Sequence, residues 1–199
     1  RALLEAFGRP VAAPSANPSG RISPTRAEHV LAGLGGRIEL VLDAGPCESG
    51  VESTVIDCTG DTGRILRPGG ITREAVAATL AARGMKLATE RPPTDEDTPA
   101  SPGQLASHYA PSAPVRLNVT APEPGMELIG FGETGGAGEL GLNLSPEGDL
   151  QDAAANLFQM MHAADAAGAA VIGVAPVPDR GLGEAVNDRL RRAAAPRTL

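Results

Sequence analysis

The stretch Ala13-Pro14-Ser15-Ala16-Asn17-Pro18-Ser19-Gly20, continued by Ser23-Pro24-Thr25, carries the strongest structural signal in the chain. Its eleven residues include four hydroxyl side chains, one amide and three prolines, and almost nothing that could fill a hydrophobic core. Proline fixes φ and lacks a backbone donor, whereas Asn and Gly tolerate left-handed conformations. The stretch therefore predicts a stiff, non-helical loop that presents Ser and Asn side chains to a small polar ligand.

Length and charge restrict the class of protein. The chain has 199 residues and starts without Met in a helix-like stretch over residues 1–7, so we expect it to be part of a longer protein. The net charge of −7 argues against a large nucleic-acid surface, because phosphate binding needs clustered cations. The short basic run Arg189, Arg191 and Arg192 is interpreted as a solvated helix face rather than an RNA site.

The cysteines and histidines do not predict a metal centre. Cys47 and Cys58 lie eleven positions apart without a Cys-x-x-Cys pair, and we interpret them as reduced, structural cysteines of a cytoplasmic protein. His29, His108 and His162 have no ligand spacing, so a metal site built by the protein is not expected. No stretch reaches the roughly 20 apolar residues that span a bilayer.

Residues 1–88 form a first unit in which helix and strand signals alternate. The capping box Thr25-Arg26-Ala27-Glu28 predicts a short helix that ends at Gly35-Gly36, and Thr72 predicts the start of a second helix that reaches Ala82. Strands are expected over residues 39–43, 52–57 and 64–66, with a hairpin turn between the last two.

A proline-rich linker over residues 89–114 leads to a second α/β unit, residues 115–199. Because strands alternate with helices here, the pattern predicts a mainly parallel, Rossmann-like sheet. The run Gly130-Phe131-Gly132-Glu133-Thr134-Gly135 matches a dinucleotide fingerprint, but no helix signal opens at its last glycine, so we reject it. The expected strands cover residues 115–119, 126–131 and 170–175, and the helices 149–167 and 184–195.

Three further positions are candidates for ligand binding. Ser53, before an apolar strand, could hold an amino acid or a phosphate oxygen, although Ser and Thr are also ordinary at strand edges. Arg67, before Pro68-Gly69, is a fixed planar cation suited to phosphate, with an arbitrary surface arginine as the equal alternative. Tyr109, the single tyrosine, either anchors the linker or covers a ligand as a lid.

Together these motifs resemble a known family. Pro14-Ser15-Ala16-Asn17 with Ser23-Pro24-Thr25, then residues 50–57 and Leu66-Arg67-Pro68-Gly69, resemble the YrdC-like catalytic domain of threonylcarbamoyl-AMP synthases. The linker and the C-terminal unit resemble the two-domain form of that family. The motifs there are Ser101-Pro102-Gly103, His108-Tyr109-Ala110-Pro111, Asn143-Leu144-Ser145, Gly181-Leu182-Gly183-Glu184-Ala185 and Asn187-Asp188-Arg189-Leu190. The resemblance implies the C-terminal part of a twisted YrdC-like α/β domain, a linker and a small α/β domain.

The resemblance also implies a reaction. The family joins L-threonine, bicarbonate and ATP into threonylcarbamoyl-adenylate and releases pyrophosphate, with Mg²⁺ entering on ATP. A partner complex then transfers the threonylcarbamoyl group to tRNA, and weak tRNA contact is possible. By motif position, the residues expected at ATP are Ser15, Asn17, Ser23, Arg67 and Tyr109. Those expected at threonine are Ala13 and Ser53.

One departure from the family matters. The family's Lys-x-Arg pair, expected to hold the triphosphate, is absent, since the single lysine is Lys86 in an unsuitable place. We therefore expect the catalytic cations upstream of Arg1 and expect this chain to be inactive alone; pyrophosphate release that depends on threonine and bicarbonate would contradict this. The alternatives are a YrdC-like enzyme of hydrogenase maturation, which would carry zinc-binding cysteine pairs, and a YrdC-like RNA-binding module without catalysis.

Overall fold

The computed structural model describes residues 1–89, 101–103, 105 and 107–196. Its strands form two three-stranded sheets, the first from residues that precede the linker in sequence and the second from residues that follow it. The predicted α/β class is confirmed, and the remaining linker residues, 90–100, 104 and 106, lie outside the described part. The described linker residues, 89, 101–103, 105 and 107–114, belong to no named helix or strand.

The first sheet has three strands, whose order in the sheet is their order in the sequence. Strands β1 (Val55–Asp57) and β2 (Thr62–Arg67) form the predicted antiparallel hairpin, and β3 (Lys86–Leu87) adds a parallel edge. Helix α3 (Arg73–Ala81) starts as predicted, because the Thr72 side chain accepts the Ala75 N–H. Ile65, Val76 and Leu80 form the small core between this helix and the sheet.

Two predictions for the first unit are wrong. Residues 39–43 are not a strand, since Leu40 and Leu42 are 75% and 66% exposed and no described strand pairs with this segment. The capping box is also absent, although helix α2 (Ala27–Leu34) exists, because Arg26 is the N-cap and makes no side-chain cap bond. Instead, Thr25 directs its backbone N–H to Nδ1 of His29 at 3.2 Å.

The second sheet is parallel throughout, as predicted, and its third strand in sequence lies between the other two. Asp149 caps the long helix between two of its strands by accepting two backbone N–H groups. No helix follows Gly135 until residue 150, so the helix that a dinucleotide fingerprint needs at its last glycine is not formed here. The elements are β4 (Val115–Leu117), β5 (Met126–Ile129), α4 (Leu150–Ala166), β6 (Val171–Val174) and α5 (Gly183–Ala194).

The two units share one hydrophobic core. Ile22 and Val51 of the first unit and Tyr109 of the linker belong to the same buried cluster as Leu157 and Phe158 of α4. Gly50 lies directly on α4, since a Cβ there would come within 2.3 Å of the Ala154 carbonyl oxygen. The loops that carry the predicted site residues are therefore packed against the C-terminal unit.

Other parts of the first unit are exposed. Helix α1 (Ala2–Phe7) buries no residue, and Leu3 and Phe7 are 60% and 56% exposed. Cys47 and Cys58 are unpaired, as expected of reduced cysteines, but both are exposed, so the structure gives them no packing role that would make them structural. Within the described residues, every helix is too short or too polar to cross a membrane.

Candidate functional site

The polar loop over residues 13–25 is held in place by the side-chain amide of Asn17 and by the linker. Asn17 donates from Nδ2 to the carbonyl oxygens of Pro18 and Arg21, at 3.1 and 3.0 Å. The linker residue Ala110 donates its N–H to the Gly20 carbonyl at 2.9 Å and forms a bridge with Arg21. The linker thus runs beside the loop, as a shared site for both requires.

Ser23 is buried at the base of this loop, where it meets a carboxylate. Its hydroxyl donates to Oε1 of Glu52 at 2.7 Å, and Nε of Arg189 donates to the other carboxylate oxygen at 2.8 Å. Burial alone would raise the pKa of Glu52, but Arg189 and the Ser23 hydroxyl outweigh burial and hold the pKa below its usual 4.5. Glu52 is therefore an ionised acceptor that orients Ser23 near neutral pH.

Arg67 is a buried cation held by neutral groups. It lies at the end of β2 with 8% of its surface exposed. Its Nε and Nη2 donate to the Ser53 carbonyl at 3.2 and 3.0 Å, and Nη1 donates to the Pro102 carbonyl at 2.9 Å. Among the described residues it has no carboxylate partner, so its charge is positioned without being neutralised.

Tyr109 is anchored in the shared core, with 1% of its surface exposed. Its ring stacks on Phe158 at 5.4 Å between centroids, and the Arg189 guanidinium carbon lies 5.2 Å from the ring centroid. Its hydroxyl points toward Gly103, because a Cβ built on Gly103 would lie 2.2 Å from that oxygen and 3.3 Å from Nη1 of Arg67. The anchor interpretation is confirmed, and the hydroxyl end reaches the Arg67 region.

The backbone and the phenol of Tyr109 are both perturbed. Its φ of 61° is a left-handed conformation that costs a bulky residue roughly 1–3 kcal/mol, so the surroundings must enforce it. Burial raises the pKa of the phenol, which keeps the hydroxyl protonated and able to donate. Burial also lowers the pKa of the neighbouring His108, so its imidazole is neutral at pH 7.

The predicted site residues differ in how they are placed. On one side, hydrogen bonds join Arg67 to the Ser53 backbone, and the Tyr109 hydroxyl and the Arg67 guanidinium both lie close to Gly103. On the other side, Ser23 is joined through Glu52 to Arg189, which lies over the Tyr109 ring. Ala13 and Ser15 are exposed, and the part-buried Asn17 uses its amide NH₂ group within the loop. Their roles at ATP or threonine stay predictions.

Sequence reasoning missed Glu52 and misjudged Arg189. The interpretation of the basic run as a solvated face is wrong, because Arg189 and Arg192 are 0% and 8% exposed and only Arg191 faces solvent. The helical periodicity of the sequence indicates that Arg189 is buried, because Arg189 lies on the same face of α5 as the buried Val186 and Ala193. A charge on an apolar stripe indicates a buried partner.

Comparisons with known proteins assign the family. A family model described as "Threonylcarbamoyl-AMP synthase, C-terminal domain" matches residues 71–195, and one described as "Telomere recombination" matches residues 1–69. The chain belongs to the threonylcarbamoyl-AMP synthase family. It is 36% identical to the Threonylcarbamoyl-AMP synthase of Bacillus subtilis over 100% of this chain and 61% of that protein. It is 38% identical to that of Pyrococcus abyssi over 99% and 61%.

Solved structures give the same family. The crystal structure of P. abyssi Sua5 complexed with L-threonine matches with a TM-score of 0.79 and 34% identity, over 96% of this chain and 60% of that one. A variant of the same protein, with an adjacent histidine and tyrosine replaced by alanine, matches with a TM-score of 0.77 and 32% identity, over 96% and 59%. The resemblance is confirmed, and this chain spans about three fifths of the length of these relatives.

Proposed function

We propose that this chain carries part of the site that makes L-threonylcarbamoyladenylate from L-threonine, bicarbonate and ATP. In the proposed reaction, bicarbonate takes up a proton and loses water to give carbon dioxide. The threonine amine adds to that carbon dioxide and releases a proton to give a carbamate. A carbamate oxygen then attacks the α-phosphorus of ATP, and pyrophosphate leaves. The bond changes occur between substrates, so the protein's task is to position anions and to balance their charge.

The observation that carries the proposal is the unneutralised charge of Arg67. A buried guanidinium whose described partners are all carbonyl oxygens is stabilised by an anionic ligand, because none of those partners carries a charge that offsets its own. A planar fork suits the oxygens of an α-phosphate or of a carbamate. The protonated Tyr109 hydroxyl, directed to the same region, supplies a further donor.

Mg²⁺ is proposed to enter with ATP, bound mainly by phosphate oxygens. Among the described residues, no group of three or more His, Cys, Asp or Glu side chains could hold a metal ion. The adenylate is a reactive mixed anhydride, so we further propose that it passes to a separate tRNA-modifying complex in the cytoplasm. Weak tRNA contact with this chain is a smaller part of the proposal.

Binding of a stable adenylate analogue tests the proposal. We would titrate the chain with a sulfamoyl analogue of threonylcarbamoyl-AMP by isothermal calorimetry. Arg67→Met should weaken binding about tenfold or more, because a charge-assisted bond is worth about 1.5–3 kcal/mol. Arg64→Met is the matched control, since Arg64 lies on the exposed face of β2. An unmodified chain that fails to bind the analogue, or Arg67→Met binding equal to that of Arg64→Met, would contradict the proposal.

A further inference from the structure

Arg189 of α5 is the least exposed charged side chain of the described residues, with 0% of its surface accessible. Taking a guanidinium out of water costs several kcal/mol unless its partners compensate. An alanine or leucine on the same stripe of α5 would pack without that cost. The position of this charge therefore calls for a role beyond filling the core.

The guanidinium is held in one orientation by two carboxylates. Nε donates to Glu52 at 2.8 Å, and Nη1 donates to Asp188 at 2.7 Å. Nη2 has no acceptor among the described residues. Because two of the three nitrogens are fixed, the plane of the group is fixed as well, and its central carbon lies 5.2 Å from the centroid of the Tyr109 ring. A cation at this distance from an aromatic face is attracted to it.

Arg189 thus connects three segments that are distant in sequence. Through Glu52 it reaches the hydroxyl of Ser23, at the base of the polar loop. Through the Tyr109 ring it contacts the linker, whose tyrosine has a left-handed backbone that its surroundings must enforce. The neighbouring Arg192 adds to the same attachment, since it donates to the Leu105 carbonyl and accepts the His108 N–H on its own carbonyl.

We propose that Arg189 is a positioning residue of the adenylate site, which holds the Tyr109 ring and the Glu52–Ser23 pair in place from the C-terminal domain. The proposal rests on the function proposed above, because the ligand is the adenylate. Arg189 acts through Tyr109 and Glu52 rather than on the ligand itself. It gives α5 a definite part in binding: without it, Tyr109 occupies its binding position in only a fraction of molecules, and the apparent affinity falls by that fraction.

The chain offers a direct reporter of this position. The chain contains a single tyrosine, Tyr109, and no tryptophan, so its tyrosine fluorescence reports Tyr109 alone. Acrylamide quenching of that fluorescence measures how accessible the ring is. Arg189→Met keeps an unbranched side chain, although a shorter one, and removes the charge. Arg191→Met is the matched control, because Arg191 is 53% exposed two residues further along the same helix.

We expect Arg189→Met to raise the quenching constant of Tyr109 severalfold and to weaken binding of the sulfamoyl adenylate analogue about tenfold, if about one molecule in ten keeps the ring in place. Arg191→Met should change neither measurement. Glu52→Gln, which removes the ion pair but keeps the shape, should shift both measurements in the same direction as Arg189→Met. This second variant keeps the test decisive if far-ultraviolet circular dichroism shows that Arg189→Met does not fold.

Each outcome bears on one claim. If the unmodified chain fails to bind the analogue, the proposed function is contradicted, and the quenching data then describe packing alone. If the unmodified chain binds and Arg189→Met binds equally well, the role of Arg189 is refuted while the proposed function stands. Weaker binding with unchanged quenching also refutes positioning, because it indicates that Arg189 meets the ligand directly. Increased quenching with unchanged affinity refutes it as well, since Arg189 would then only stabilise the core.

Discussion

Substitution of Gly50 by alanine tests whether the first unit packs against the C-terminal domain as closely as the structure shows. A Cβ at residue 50 would lie 2.3 Å from the Ala154 carbonyl oxygen and 2.5 Å from that of Ala155. Ordinary contacts begin at 3.4 Å, so the loop or the helix must move by about 1 Å. Both obstructing atoms belong to the backbone of α4, which cannot turn aside as a side chain could.

The magnitude follows from the cost of overpacking. Forcing a methyl group into a packed interior costs typically about 1–3 kcal/mol. In a chain of this length, 1 kcal/mol shifts the melting temperature by about 2–4 °C, so Gly50→Ala should lower it by roughly 2–12 °C. The moving loop carries Val51, Glu52 and Ser53, so the quenching of Tyr109 and the affinity for the adenylate analogue should change together with stability.

Gly60→Ala is the matched control for this prediction. Gly60 lies in the turn of the β1–β2 hairpin, where an added Cβ meets no atom within 4 Å. A Gly→Ala change at such a position is neutral or stabilising by up to about 1 kcal/mol, because it restricts the unfolded chain. Urea unfolding followed by circular dichroism gives both values. If the two variants differ by less than about 0.5 kcal/mol, the close contact does not exist in solution and the reasoning is refuted.

Three further predictions concern stability. Thr72→Ala removes the N-cap of α3 and should lower the unfolding free energy by about 1 kcal/mol in urea titrations; an unchanged midpoint would contradict the cap. Burial and the stacked His162 lower the pKa of His29 from 6.5 to about 4. As the pH falls, the unfolded state therefore takes up a proton before the folded state does. The unfolding free energy should decrease as the pH falls from 6.5 to about 4, and this contribution should stay constant above pH 6.5. His29→Gln should make that decrease smaller, and a decrease equal to that of the unmodified chain would contradict the argument. Asp165→Ala removes the carboxylate oxygen that accepts the N–H groups of residues 112–113 and should lower the unfolding free energy by about 1–3 kcal/mol. An unchanged midpoint in urea would contradict this prediction.

The elements that sequence reasoning located correctly are those whose signals are local. Asp149 before an apolar helical pattern predicts the start of α4, and the side chain indeed accepts two N–H groups there. The hairpin and the parallel second sheet follow from strand lengths and from the alternation of strands with helices. Each of these depends on neighbours along the chain, and those neighbours can be read from the sequence.

The errors occurred where a distant or competing partner decides the outcome. Residues 39–43 have the composition of a strand, but a strand forms only on a partner, and none of the described strands pairs with them. The capping box at Thr25 does not form, because the ring nitrogen of His29 accepts the Thr25 N–H. The N-cap of α2 is Arg26 instead. Arg189 looked like a surface charge because its partner Glu52 is 137 positions away.

A comparison of two buried arginines indicates where the ligand's charge should lie. The charge of Arg189 is largely neutralised by its ion pairs with Glu52 and Asp188. Its remaining effect is to orient the groups that it contacts. Arg67 is also buried, although 8% of its surface is exposed, and its described partners are carbonyl oxygens that fix its direction and leave its charge in place. An anion gains more from the uncompensated group, because the desolvation of Arg67 has already occurred on folding. The same difference predicts that neutralising Arg67 removes affinity directly, whereas neutralising Arg189 removes it through the position of Tyr109.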